Sequence, residues 1–109
     1  MPEFSYQVRS DQTVTTVEVS GDVDMAVASR LSEVLDPLIT ADATVVLDCS
    51  GVTFFDSMGL RTAVQGMQQA KDVGATFALI PSTPVTRVLE LAGVSGIFTI
   101  YDSPSDVPQ

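Results

Sequence analysis

The 109-residue sequence contains no histidine, and this absence excludes several classes of enzyme. A Ser-His-Asp or Cys-His nucleophile system needs an imidazole as its base, and a histidine-liganded zinc site needs the same ring. The one cysteine, Cys49, cannot form an intramolecular disulfide, which favours a reducing cytoplasm as the compartment. We expect Cys49 to pack as a small apolar side chain rather than to act as a reactive thiol.

Basic residues are scarce as well, since 5 Lys and Arg stand against 14 Asp and Glu, giving a net charge of −9. This balance argues against binding to nucleic acid and to anionic membrane surfaces, because both need cationic side chains. No apolar run approaches the roughly 18 residues of a membrane span, and the N-terminus does not read as a secretory signal. Without a phosphate-binding loop motif or a metal-ligand cluster, we expect no metal, no cofactor and no enzymatic activity.

Apolar residues make up 45% of the chain, enough for the core of one domain over residues 1–109. Alternation at Phe4, Tyr6 and Val8 predicts a strand with one buried face, and residues 13–20 pair with it as an antiparallel hairpin. Gly21 is expected to break that second strand.

Helical periodicity follows over residues 27–38, with Asp24 as the N-cap, then over 57–73 and over 84–92. Strand-like runs at 44–48, 76–80 and 97–101 alternate with these helices. The order β-β-α-β-α-β-α-β predicts an α/β domain: a mostly parallel sheet with an N-terminal antiparallel strand, packed by α-helices. Its core is expected over residues 4–101, with the Pro/Ser-rich residues 102–109 as a flexible tail.

The segment most suited to a function is the start of the predicted second helix, where Ser57 follows a buried strand. The first turn of a helix presents unpaired N–H groups and a partial positive charge, so it suits a phosphate on Ser57. Asp56 has three possible roles: it orients the hydroxyl, contacts a partner or caps the helix. Gly59 would let a partner's loop approach the backbone. An ordinary helix cap explains the same residues without any function.

Three segments resemble one protein family. Gly21–Asp24 is similar to a G-[DE]-[LIV]-D turn, Asp48–Leu60 to the signature D-[LC]-S-x-V-x-[FY]-[ILMV]-D-S-[SAT]-G-L, and Pro81–Gly93 to the third-helix segment. Together they resemble the STAS domain, and more closely the bacterial anti-sigma factor antagonists, from about Phe4 to Tyr101.

The resemblance implies a non-catalytic switch in transcription regulation. The unphosphorylated antagonist binds an anti-sigma factor that is also a serine kinase, and this binding frees a sigma factor. The kinase would phosphorylate Ser57, and a phosphatase would reverse the modification. Asp22 and Asp24 match partner-contact positions of the family, although capping and solvation explain both residues as well.

Two departures from the family pattern stand inside the signature. Met58 replaces the usual Ser, Ala or Thr, so it is either an exposed partner contact or part of the core. Phe54 and Phe55 are bulkier than the usual pair, and both rings are expected in the core. An alternative function is a non-catalytic STAS subunit of a transport system of the lipid-transport ATPase type, where the serine need not be phosphorylated.

Overall fold

Five strands and three α-helices alternate along the chain in a computed structural model that describes residues 3–108. The strands form one sheet in the order β1-β2-β3-β4-β5, in which β1 runs antiparallel to β2 and all other pairs are parallel. This topology confirms the predicted fold class. The elements are β1 Ser5–Asp11, β2 Val14–Val23, α1 Met25–Leu35, β3 Thr44–Phe55, α2 Ser57–Val73, β4 Thr76–Pro81, α3 Thr83–Ala92 and β5 Thr99–Ile100.

The buried side chains form two clusters because successive residues of a strand point to opposite faces of the sheet. The larger cluster joins one sheet face to the inner sides of the three helices, and it includes Val17, Leu47 and Leu79 from the strands. Cys49 is fully buried in it, as predicted, and burial raises the pKa of its thiol. The smaller cluster contains Val46 and Ile80.

Helix boundaries follow local sequence signals. Helix α1 ends at Leu35, and Pro37 lies in the short 3-10 turn that follows, as a proline at this position predicts. Gly74 ends α2 in the left-handed conformation, with φ of 77°. Among residues 3–108, no helix is both long and apolar enough to cross a membrane.

Strand β1 departs from its predicted pattern. All seven of its residues are exposed, including Tyr6 and Val8, which were expected to face the core. The strand lies at the edge of the sheet, whereas the side chains of β2 on the same face, such as Val17 and Val19, are buried. The alternation of apolar and polar residues identified the strand correctly. Its apolar side chains remain exposed because the helices cover the inner strands and not this edge strand.

Gly21 does not break β2, contrary to expectation. The strand continues to Val23, with register shifts against β3 on both sides of Gly21. Gly21 has φ of 86°, and a Cβ atom there would collide with the carbonyl oxygen of Glu3, so glycine permits an irregular strand to continue. Because β3 also extends to Phe55, the two strands run side by side to their ends.

The segment after Tyr101 differs from the flexible tail that the sequence predicted. Pro104–Asp106 forms a 3-10 turn, and Val107 is only 7% exposed. Val107 packs with Val14, Val46 and Ile80 on the sheet face opposite the helices. The packed part of the domain therefore reaches Val107.

We expect Val107→Ala to lower the free energy of unfolding by about 1–2 kcal/mol, because it removes two buried methyl groups. Chemical denaturation measures the change. The matched control is Val73→Ala, which truncates a half-exposed valine at the end of α2 and should stay within about 0.5 kcal/mol of the wild type. Equal effects of the two substitutions would show that Val107 contributes no burial in solution.

Candidate functional site

The carboxyl ends of β2 and β3 bring two helix starts together at one edge of the sheet. Val23 and Phe55 are paired in register, and the backbone N–H of Asp56 donates to the carbonyl oxygen of Val23 at 3.3 Å. Asp24 and Asp56 follow these paired residues directly. The structure therefore places the Gly21–Asp24 segment beside the Asp56–Ser57 pair, although the two segments are far apart along the chain.

Asp24 and Asp56 are both N-caps. The Oδ1 atom of Asp24 accepts from the N–H of Ala26 at 2.9 Å. The Oδ1 atom of Asp56 accepts from the N–H of Met58 at 2.9 Å and from that of Gly59 at 3.1 Å. Of the roles considered for Asp56, helix capping is the one that the geometry shows.

Ser57 is the first residue of α2 and is exposed. Its position at a helix start agrees with the expectation from the sequence. The N–H groups of the first turn, however, were expected to be unpaired, and two of them are not. The N–H groups of Met58 and Gly59, which a phosphate would use, are already bonded to Asp56. A phosphate on Ser57 would have to displace that carboxylate or remain outside the helix cap.

Asp22 is buried, although a residue that contacts a partner was expected to be exposed. It lies inside β2, is 9% exposed, and accepts a hydrogen bond from Thr53 Oγ1 at 2.8 Å. This bond ties the end of β2 to β3, next to the irregular register around Gly21. The difference arises because the sequence placed Asp22 in a turn, whereas the strand continues through it.

Gly59 also serves the interior. It is buried, and a Cβ atom built on it would lie 2.8 Å from Cε1 of Phe55. The glycine therefore makes room for the Phe55 ring rather than for an approaching partner. Phe55 is in the core as predicted, whereas the prediction for Phe54 is wrong: its ring is 45% exposed, because adjacent strand residues point to opposite faces.

Met58 is half-buried and lines an open groove of about 400 Å³ between α1 and α2. Across the groove lies Met25, the first residue of α1, which is 71% exposed. No motif in the sequence pointed to Met25. The signal for Met25 was an apolar residue at a helix start that does not belong to the buried side of α1, which consists of Ala28, Leu31 and Leu35.

The chemistry available at this edge is that of a hydroxyl beside two capping carboxylates. Within residues 3–108, no group of three or more His, Cys, Asp or Glu side chains is arranged to hold a metal ion. The sequence supplies no imidazole that could serve as a base next to Ser57.

Comparison with known families adds an independent line of evidence. A family model described as STAS domain matches residues 5–107. The match spans β1 to Val107 and includes the whole of the site described above.

Solved structures show the same fold. An anti-sigma factor antagonist from Mycobacterium paratuberculosis superimposes with a TM-score of 0.82 at 26% identity, covering 95% of this chain and 90% of that one. SpoIIAA in its unphosphorylated form gives 0.72 at 18% identity, covering 93% and 91%. The Bacillus cell fate determinant SpoIIAA in its phosphorylated form gives 0.68 at 18%, covering 93% and 95%. At 18% identity, the SpoIIAA structures show a shared fold only.

We expect Gly59→Ala to lower the free energy of unfolding by about 1–2 kcal/mol. The new methyl group would overlap the Phe55 ring, and this steric cost exceeds the stability that alanine gains over glycine from its higher helix propensity. Denaturation of Gly59→Ala, Phe55→Leu and the double variant measures the coupling. The penalty should shrink in the Phe55→Leu background. Gly96→Ala, where a Cβ would meet nothing within 4 Å, is the control and should be near neutral.

Asp56→Ala should cost about 1 kcal/mol of stability, because it removes the acceptor of two N–H groups at the start of α2. Asp56→Asn keeps a capping oxygen and should retain most of that free energy. Thermal and chemical denaturation compare the two variants. Equal losses would mean that the negative charge, and not the cap, stabilises the helix.

Proposed function

This chain belongs to the STAS domain family, and we propose that it is an anti-sigma factor antagonist in the cytoplasm, switched by phosphorylation of Ser57. In the unphosphorylated state it binds an anti-sigma factor that is also a serine kinase, and the sigma factor is released. The observation that carries the proposal is an exposed serine at the first residue of α2, inside a family fold that is structurally similar to an anti-sigma factor antagonist.

The modification is a phosphoryl transfer from ATP. The Oγ atom of Ser57 attacks the γ-phosphorus, the bond from that phosphorus to the β,γ-bridging oxygen breaks, and ADP leaves. The hydroxyl proton passes to a base of the kinase, as in other protein kinases. The antagonist is therefore a substrate and a binding partner, and it catalyses nothing itself. A phosphatase hydrolyses the phosphoserine and restores the binding form.

The switch works through local charge and bulk. Phosphorylation adds about −1.5 to −2 charge at neutral pH. Two carboxylates already stand at this edge, on Asp24 and Asp56, and the N–H groups that might hold the phosphate are bonded to Asp56. A phosphoryl group left outside the cap fills the space in which a partner surface fits the bare hydroxyl, so its bulk blocks binding. The carboxylates of Asp24 and Asp56 repel the added charge and prevent it from moving inward when a partner approaches. A shift of α2 by several ångströms between the two phosphorylation states would contradict this mechanism.

The proposed partner surface consists of Ser57 with Asp24, Asp56 and Met58 around it. Asp22 and Gly59 support that surface from beneath, the first through its bond to Thr53 and the second by admitting Phe55. Substitutions at the supporting positions are expected to change stability before they change binding.

The central test is phosphorylation of the purified protein by candidate anti-sigma kinases with ATP, followed by intact-mass measurement. We expect the wild type to gain the mass of one phosphoryl group and Ser57→Ala to gain none. Ser50→Ala is the matched control, because Ser50 is exposed within the same signature segment and should leave the reaction unchanged.

The binding half of the proposal is tested with the same kinases. The unphosphorylated wild type should bind the kinase and release sigma factor, and the phosphorylated protein should not. An unchanged mass with every cognate kinase, together with co-purification with a transporter ATPase, would overturn the proposal in favour of a transport-system subunit.

A further inference from the structure

The groove between α1 and α2 leaves large apolar side chains in contact with solvent. Met25 is 71% exposed at one wall, and Met58 lies at the other. Methionine is flexible and polarizable, so a pair of such side chains can adapt to the shape of an apolar group from a partner. Both residues stand at the helix ends nearest to Ser57, since Met25 opens α1 and Met58 is the second residue of α2.

The residues at the bottom of the groove are buried, and the hydroxyl group among them is hydrogen-bonded. Ala28 is buried there, and the buried Thr62 shares its hydroxyl between the carbonyl oxygens of Met58, at 3.1 Å, and Ala28, at 3.3 Å. An apolar side chain that enters the groove would therefore leave no buried donor of the floor unpaired. Removing water from this groove therefore costs less free energy than it would if the buried hydroxyl had no hydrogen-bond partner.

Charged side chains occupy the walls further along the groove. Glu33 lies on α1 and Arg61 on α2, and both residues are exposed. Within residues 3–108 the structure contains one ion pair, Arg9 with Glu18, so Glu33 and Arg61 remain available to a partner. The net charge of −9 and the carboxylates at the adjacent helix starts favour a partner segment that carries basic residues.

The groove is continuous with the surface that a kinase must cover. To transfer a phosphoryl group, the kinase brings ATP to the Oγ atom of Ser57, and the next residue along the helix is Met58, which lines the groove. A kinase seated on Ser57 therefore lies over the methionine end of the groove.

We propose that this groove is the docking site for a segment of the anti-sigma factor kinase that inserts an apolar side chain between Met25 and Met58 and places a basic residue opposite Glu33. The inference deepens the function proposed above and rests on it. Met25 is then a residue that determines which kinase binds, and it acts without touching the reacting atoms.

The test compares Met25→Gln with Leu91→Gln, using a kinase that binds and phosphorylates the wild type. Leu91 is the matched control, because it is 83% exposed on α3 and lies outside the groove. Calorimetric titration with the ADP-bound kinase should show affinity weakened about tenfold for Met25→Gln and unchanged for Leu91→Gln. The KM for the antagonist should rise while kcat at saturation stays the same.

A second pair of variants tests the charge at the far end of the groove. Glu33→Gln should weaken the same affinity severalfold and reduce its dependence on salt, whereas Glu90→Gln on α3 should do neither. Thermal denaturation of each variant confirms that the fold is retained.

The outcomes separate the two proposals. If the kinase binds the wild type and Met25→Gln equally tightly, the docking site is overturned and the switch at Ser57 stands. If no cognate anti-sigma kinase binds or phosphorylates the wild type, the proposed function fails, and the docking site fails with it.

Discussion

The parallel pairing of β2 with β3, maintained to the last residues of both strands, is the constraint on which the site depends. Val23 and Phe55 lie side by side, and the N–H of Asp56 bonds back to Val23. This pairing determines where α1 and α2 begin and hence where Ser57 is presented. Gly21 makes the pairing possible, because its positive φ allows β2 to pass an irregular register without ending.

The start of α2 is held in place from two sides. The Asp56 carboxylate accepts hydrogen bonds from the N–H groups of Met58 and Gly59 in the first turn, and Gly59 packs against the ring of Phe55. A helix start that is capped and packed in this way has little freedom to rearrange when its first residue is modified. A switch at Ser57 that works through added charge is compatible with such a rigid support, and it leaves the groove beside Met58 intact for recognition.

Much of the fold was predictable because periodicity reports local geometry directly. The order of strands and helices, the cap at Asp24 and the turn at Pro37 all follow from residue spacing and backbone preferences. Apart from the strand break expected at Gly21, the predictions that failed concern burial. Phe54 is exposed because it points to the sheet face opposite to that of Phe55. Val107 is buried because it packs on residues of three strands that are distant in sequence, Val14, Val46 and Ile80.

The sequence alone determined the α/β class, the helix starts and the presence of a serine at the first residue of α2, since each depends on short-range dihedral preferences and capping. Only the tertiary structure decided what surrounds that serine. Asp22 is buried and accepts a hydrogen bond from Thr53, and Gly59 leaves the space that the Phe55 ring occupies. Met25 joined Met58 across a groove, because two helices distant in sequence pack side by side. Contacts of this kind arise from packing between elements, which residue spacing within one element does not encode.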